Sequence, residues 1–289
     1  MKSSFKTVAL IGKYKSPEVA APLLELARFL EGRKVKVLID RLTASQVQET
    51  RHPALSLDEI GKQADLAIVI GGDGTMLNIA RTLAPHDVAL IGVNQGRLGF
   101  LTDISVDTMI ATIGAILDGK FVTEERMLLE GQVFRGAKKV YEALAFNDAV
   151  VSKGPKGSML EMAVRIDGEL IYTQRGDGLI VATPTGSTAY ALSSGGPIVH
   201  PSLSVMALVP VSPHTLSNRP IVISSGCTVE IIVRDDPEPR AHFDSHTRCD
   251  LREGDRIVVR RYPRTISLLH PEGHSYYSML REKLNWNRE

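Results

Sequence analysis

The run Gly71-Gly72-Asp73-Gly74-Thr75 stands between a short branched apolar stretch, Leu66 to Ile70, and a segment of helical spacing from Thr75 to Leu83. That order sets a glycine-rich loop at a strand-to-helix turn. In a parallel α/β sheet such a turn lies at the carboxyl end of a strand, where ligands bind, and the next helix turns its amides and positive dipole end toward anions. Glycines let a phosphate approach the backbone closely. A carboxylate there repels phosphate unless it has another task, such as holding a metal ion or taking a proton from a hydroxyl about to be phosphorylated. The same residues also suit a plain tight turn, because Asp-Gly is a common turn dipeptide. Two other phosphate loops fit poorly: a P-loop needs Lys-Ser/Thr after its last glycine, and a dinucleotide fingerprint needs G-x-G-x-x-G.

Around this loop the first hundred residues alternate strand and helix patterns. Strands are expected over Thr7 to Ile11, Val35 to Ile39, Leu66 to Ile70 and Val88 to Val93, and a helix over Pro17 to Leu30. This is a βαβ series and predicts a parallel sheet covered by helices. Ala44 to Leu57, polar and containing His52-Pro53, reads as a loop in which a flap over the site would sit. From Met127 the pattern changes to short alternating strands, with Asp167-Gly168 as a hairpin signal and further strands at 204–209, 229–233, 256–260 and 265–269. The expected architecture is an α/β N-terminal domain with a parallel sheet, residues 1–102, followed by a C-terminal antiparallel β domain, residues 103–269. Val106 to Leu117 is expected as a connecting helix, and the tail 270–289 as packing back on the first domain.

The whole chain bounds the function more loosely. Its 289 residues suit two domains or one large one, and 34 Lys plus Arg against 33 Asp plus Glu leave a net charge of +1. No electrostatic case exists for nucleic acid or an anionic membrane as the main partner, so small solutes are the default. Two cysteines, Cys227 and Cys249, neither form a disulfide framework nor have zinc-binding spacing, which favours a reducing compartment. No stretch reaches the roughly 18 apolar residues of a membrane span. The expectation is a soluble cytoplasmic protein.

A second constellation runs from Gly176-Asp177-Gly178 through Thr183, Thr185, Ser187, Thr188, Tyr190, Ser193 and Ser194 to Gly195-Gly196-Pro197. Hydroxyls both donate and accept, so they suit sugar, phosphate or base edges, and a tyrosine offers a flat face to an adenine. A Ser/Thr-rich turn capping a helix that starts near Ser187 explains the same composition equally well. A serine hydrolase does not, since Gly186-Ser187-Thr188-Ala189 lacks the second glycine of G-x-S-x-G.

Taken together, the Gly71 to Thr75 loop, Asn147-Asp148 and the Gly176 to Gly196 segment resemble the bacterial NAD kinases, over a span from the first strand to near Arg260. The resemblance implies a site in the cleft between the two domains and transfer of the terminal phosphate of ATP, in some members polyphosphate, to the 2′-hydroxyl of the adenosine ribose of NAD. It makes Asp73 the base, with Gly72, Gly74 and Thr75 cradling phosphates. It assigns Asn147 and Asp148 to the ribose hydroxyls, Thr188, Ala189, Tyr190 and Ser193 to the adenosine side, and Asp177 to the nicotinamide side. Arg175, next to that motif, reads as a contact to the pyrophosphate or nicotinamide end, or as a solvated surface arginine. Mg²⁺ or another divalent metal is expected with ATP, and a homodimer or homotetramer as the assembly.

One departure is Asp244-Ser245-His246, where many members carry Asp-Gly-Gln or Asp-Ser-Gln; His246 keeps a hydrogen-bonding edge and is expected to touch the ligand. His242, Asp244 and His246 alternate as a metal cluster or a solvated strand face would. His270 and His274 are four apart, but Pro271 and Gly273 argue against a helix aligning them, and no residue is assigned to a resident metal. Two rivals remain: a lipid kinase, which shares the Gly-Gly-Asp-Gly loop but needs an apolar acceptor site, and a non-catalytic dinucleotide sensor, which leaves Asp73 unexplained.

Overall fold

A computed structural model of the chain describes residues 5–48, 51–96, 99–154, 159–215, 217–235, 238–244 and 247–286. In chain order these form β1 (Thr7–Gly12), α1 (Ala20–Gly32), β2 (Lys36–Asp40), α2 (Arg41–Val47), β3 (Ala54–Leu55), α3 (Leu57–Gly61), β4 (Leu66–Ile70), α4 (Asp73–Leu83), β5 (Ala89–Asn94), β6 (Ile104–Ser105) and α5 (Met109–Leu117). Strands β7 (Phe121–Arg135), β8 (Lys138–Ala145), β9 (Asp148–Ser152), β10 (Leu160–Ile166), β11 (Glu169–Gly176) and β12 (Gly178–Ala182) follow. After the short α6 (Tyr190–Ser193) come β13 (Val205–Val211), β14 (Ile221–Ser224), β15 (Val229–Val233), β16 (Arg240–Phe243), β17 (Thr247–Asp250), β18 (Arg256–Pro271) and α7 (Tyr276–Lys283).

The chain divides into two compact units, residues 1–125 with 266–289, and residues 126–265. In the first, β5, β4, β1, β2 and β3 lie side by side in parallel, and Leu268 at the far end of β18 pairs with Leu90 of β5. All five residues of β4 are buried, as a strand covered on both faces requires, which is why its sequence is an unbroken apolar run. Helix α1 buries Leu23, Leu26, Ala27 and Leu30 as one stripe. Helix α5 adds Met109, Ile113, Ile116 and Leu117 to the same core. That packing draws residues 103–125 into the first unit, so the division falls after Glu125 and not at the expected position 102. The tail from Ile266 belongs to the first unit as well.

The second unit has two antiparallel layers. One runs β14, β13, β12, β9, β16, β17; the other contains β11, β10 and β15, with β15 paired to the start of β18 and β7 paired to β8. Their inner faces share one core that includes Leu129, Val151, Met162, Val181, Ile231 and Phe243. The hairpin expected at Asp167-Gly168 is formed, both residues having positive φ (50° and 85°) as its tight turn demands. Two local expectations are corrected. Ala44 to Leu57 is not one loop, because α2 continues to Val47 and Ala54–Leu55 adds a short parallel strand to β2. The strands expected at 256–260 and 265–269 are one continuous strand, whose exposed stretch around Arg260, Arg261 and Arg264 interrupts the apolar pattern without ending the strand.

An ion pair between a partly exposed arginine and a buried aspartate fixes one end of this second unit. Asp255, 1% exposed, accepts from Arg135 Nε and Nη2 (2.9 and 2.8 Å) and from the Arg252 amide (2.9 Å). Asp255→Asn removes the charge and turns a donor toward one of these groups. A loss of about 2–3 kcal/mol is expected from a urea midpoint shift at unchanged m, and a loss under about 0.5 kcal/mol would contradict this account of the pair.

Candidate active site

Strand β4 ends at Ile70 and Gly72 caps α4, so Asp73 becomes the first residue of the helix, where a negative charge is favoured. Its carboxylate is not idle. Oδ2 accepts from the Phe100 amide (2.8 Å), and Oδ1 accepts from the Leu101 amide (3.0 Å) and the Thr102 hydroxyl (3.2 Å). Thr102 is fully buried and in turn accepts from the Asn94 side-chain amide (2.8 Å), which commits its own proton to Asp73. Asn94 also accepts from the Gly96 amide (2.8 Å). Residue 99 must be glycine for this closure, because a Cβ there would lie 1.9 Å from Asp73 Oδ1. Three of the roughly four lone-pair sites of the carboxylate are used, and Oδ2 retains spare acceptor capacity. The flanking loop residues Gly72 and Thr75 are half-buried and Gly74 is exposed.

Sequence reasoning did not single out Asn94 or Thr102. Asn94 closes β5 at its carboxyl end, as the Gly71 loop closes β4, and the rule that ligands gather at such ends was the available signal.

In the second unit the segment Phe146-Asn147-Asp148 is held by Asp244. The buried carboxylate of Asp244 accepts from all three amides (2.7, 2.7 and 3.1 Å), and its own amide donates to Asp148 O (3.0 Å). This commitment, together with the backbone of Asp244 at φ 50°, turns the residue away from the strand alternation that suggested a metal cluster with His242. Asp148 pays electrostatically: burial, with the Asp244 charge beside it, pushes its carboxyl up to about 7. The hydroxyl-rich segment closes on the same place. Thr183 donates from its amide to Asn147 O (2.8 Å) and from its hydroxyl to Phe146 O (2.6 Å), while accepting from the Gly186 amide (3.0 Å). A Cβ on residue 186 would sit 2.1 Å from Asn147 O, so this turn too requires glycine.

Thr185–Thr188 form a single 3-10 turn and α6 follows it at Tyr190, slightly later than the expected start near Ser187. Within it, the Thr188 and Ser193 hydroxyls donate to Thr185 O and Tyr190 O, Ala189 is half-buried, and the Tyr190 ring is 46% exposed. The hydroxyls of Thr183 and Ser187 are thus spent on the backbone, whereas Tyr190 is available to a ligand. Asp177 pairs with Lys153 Nζ at 2.7 Å between β11 and β12. Arg175 is exposed on β11, opposite Glu161 of β10 and 3.9 Å from its carboxylate. His246 and Ser245 lie outside the described residues. No described helix is long and apolar enough to cross a membrane.

Sequence profiles agree with both halves of this arrangement. The ATP-NAD kinase N-terminal domain matches residues 8–121 and the ATP-NAD kinase C-terminal domain residues 146–270. Among curated relatives, the NAD kinase of Nitrosospira multiformis is 58% identical over 287 residues, covering 99% of this chain and 98% of the relative. The NAD kinase of Nitrosomonas eutropha is 59% identical over 283 residues, covering 98% and 96%. Among solved structures, a yeast NADH kinase complexed with NADH shares the fold at a TM-score of 0.90 and 23% identity, covering 98% of this chain and 89% of the other. An NAD kinase from Archaeoglobus fulgidus in complex with ATP has a TM-score of 0.76 at 25% identity, covering 96% and 98%. With two domain profiles in sequence and close relatives matched over nearly their full lengths, the chain belongs to the ATP-NAD kinase family.

Proposed function

We propose that this enzyme transfers the terminal phosphate of ATP to the 2′-hydroxyl of the adenosine ribose of NAD, with Asp73 as general base. The observation that carries the reading is the Asp73 carboxylate. Three donors from one side fix its orientation, yet Oδ2 keeps a lone pair able to take the hydroxyl proton. A ribose hydroxyl is a poor nucleophile, and in a loose phosphoryl transition state its proton must leave as the new bond forms. Gly72 and Gly74, at the start of α4, present backbone amides to phosphate, with Thr75, whose amide closes the turn on Gly72 O (3.0 Å), beside them.

The cluster in the second unit binds the dinucleotide in this reading. Asn147 and Asp148 hold ribose hydroxyls, an amide and a carboxylate together satisfying a vicinal diol. Tyr190, exposed, stacks on adenine, with Thr188, Ala189 and Ser193 around it. Asp177 faces the nicotinamide side, and Arg175, only loosely tied to Glu161, is free to approach the pyrophosphate. Mg²⁺ on the triphosphate supplies charge neutralisation. Such an ion uses few protein carboxylates, and Asp73, with acceptor capacity left on Oδ2, is the residue that would help hold it.

Asp73→Asn separates chemistry from loop shape. Asparagine cannot take the proton, and its amide nitrogen would face a backbone donor that the carboxylate now satisfies. The expected loss in kcat is on the order of 10²–10⁴, with stability lowered by only about 1–2 kcal/mol. Thr102→Val removes one donor and leaves the base; its kcat should fall by less than about tenfold. If Asp73 served only the loop, the two variants would lose activity in the same proportion as stability.

Asp148 generates a pH prediction. Its folded pKa of about 7 lies above the unfolded value of 3.8, so the native state holds the extra proton between these values. Stability from this group is therefore present at low pH and lost as pH rises through about 7. Asp148→Asn should raise the melting temperature at pH 8 relative to the parent, with the gain shrinking toward pH 4, while NAD binding weakens. An equal shift at both pH values would contradict the assignment.

A further inference from the structure

Strand β18 ends at Pro271, and the chain turns back at once: the His274 amide donates to Pro271 O (3.1 Å), and Gly273 takes φ 87°. The turn does what the sequence seemed to forbid. His270 and His274 lie face to face, with ring centroids 3.8 Å apart and planes 18° from parallel. Both direct Nδ1 at one oxygen, Oδ2 of Asp103, each at 2.8 Å. Two imidazole nitrogens and one carboxylate oxygen therefore converge, all within 4.8 Å of one another. On its far side His270 Nε2 lies 3.3 Å from Glu124 Oε2, within ion-pair distance but not aligned as a hydrogen bond.

His270 meets carboxylate oxygens with both nitrogens, and His274 meets Asp103 with one, so the cluster is held by shared protons in the absence of metal. The same convergence of two Nδ1 atoms and Asp103 Oδ2 is a three-ligand set in which a divalent cation would take the place of those protons. It leaves Nε2–H of His270 toward Glu124, the arrangement in which an outer carboxylate orients a metal-bound histidine. The spacing His270-x-x-x-His274 is one that zinc sites use. A surface cavity of about 250 Å³ borders Asp103 and His274 and carries Glu272 and Glu282, giving a cation an acidic approach and room for a water as fourth ligand.

We propose that Asp103, His270 and His274 form a binding site for one divalent transition-metal ion of the zinc class, distinct from the phosphotransfer chemistry. Two imidazoles with one carboxylate select Zn²⁺ or Co²⁺ over Mg²⁺, which prefers an all-oxygen octahedron. Metal–nitrogen bonds of roughly 2.0–2.1 Å in a tetrahedron require ligand separations slightly over 3 Å, so the two 2.8 Å contacts to Asp103 must open by about half an ångström and the stacked rings must tilt to bring both Nδ1 lone pairs onto one ion. The bound ion would brace the turn after β18 against Asp103, which directly follows Thr102 of the Asp73 cluster.

The test uses full-length, chelator-treated protein without nucleotide, titrated with Co²⁺ and then competed with Zn²⁺. One equivalent of Co²⁺ should bind with the visible absorption of a tetrahedral nitrogen–oxygen site, and Zn²⁺ should displace it and raise the melting temperature. His274→Ala, at a partly exposed position, and Asp103→Asn should each weaken binding at least tenfold and abolish the absorption. His86→Ala, in the same unit but away from the cluster, should not. Absence of stoichiometric Co²⁺ or Zn²⁺ binding in the parent, or undiminished binding in His274→Ala shown folded by circular dichroism, overturns the proposal. A cluster that only shares protons would show pH-dependent melting with no response to metal, which also overturns it. None of these outcomes bears on the Asp73 reading.

Discussion

Each unit secures one of its loops by giving a carboxylate to backbone amides that no strand or helix satisfies. In the first unit Asp73 gathers the amides of Phe100 and Leu101; in the second, Asp244 gathers those of Phe146, Asn147 and Asp148. Hydrogen bonds to an ionised acceptor are stronger than neutral ones, roughly 1.5–3 kcal/mol each, and a buried amide left without a partner carries a comparable penalty. The loops are thus held by electrostatics at points where regular pairing ends. Glycines at 99 and 186 permit the close approach this requires.

The arrangement has an electrostatic cost, and its location is informative. Anchoring residues 146–148 with Asp244 brings that charge beside Asp148, which is itself buried, and Asp148 is driven toward the neutral form. A chain selected for stability alone would replace one of the two carboxylates. Keeping both makes sense where one shapes the backbone and the other serves a ligand, and perturbed carboxylates of this kind gather at functional sites. Asp73 anchors its loop with three hydrogen bonds while Oδ2 retains a lone pair.

Much of this was legible in the sequence because it depends on local pattern. The apolar run at Leu66 to Ile70, the glycine loop and the helical spacing from Thr75 placed Asp73 at a strand-to-helix turn, with α4 starting two residues earlier than that spacing, at Asp73 itself. What escaped depends on contacts between distant residues. Asp244 acts on amides 96 to 98 positions away, and Thr102 reaches Asp73 across 29. The single strand β18 was read as two because its middle is exposed and rich in arginine. His270 and His274 were dismissed because Pro271 and Gly273 preclude a helix, yet the turn those residues make is what stacks the rings.

The most direct test of the central claim is product formation by the purified chain supplied with Mg-ATP and NAD, with NADP read by an NADP-specific dehydrogenase and ADP measured in parallel. One NADP is expected for each ADP formed, with turnover sustained over many cycles. Binding of both nucleotides without NADP formation would mark a dinucleotide sensor and contradict it, as would ATP consumption that yields no NADP.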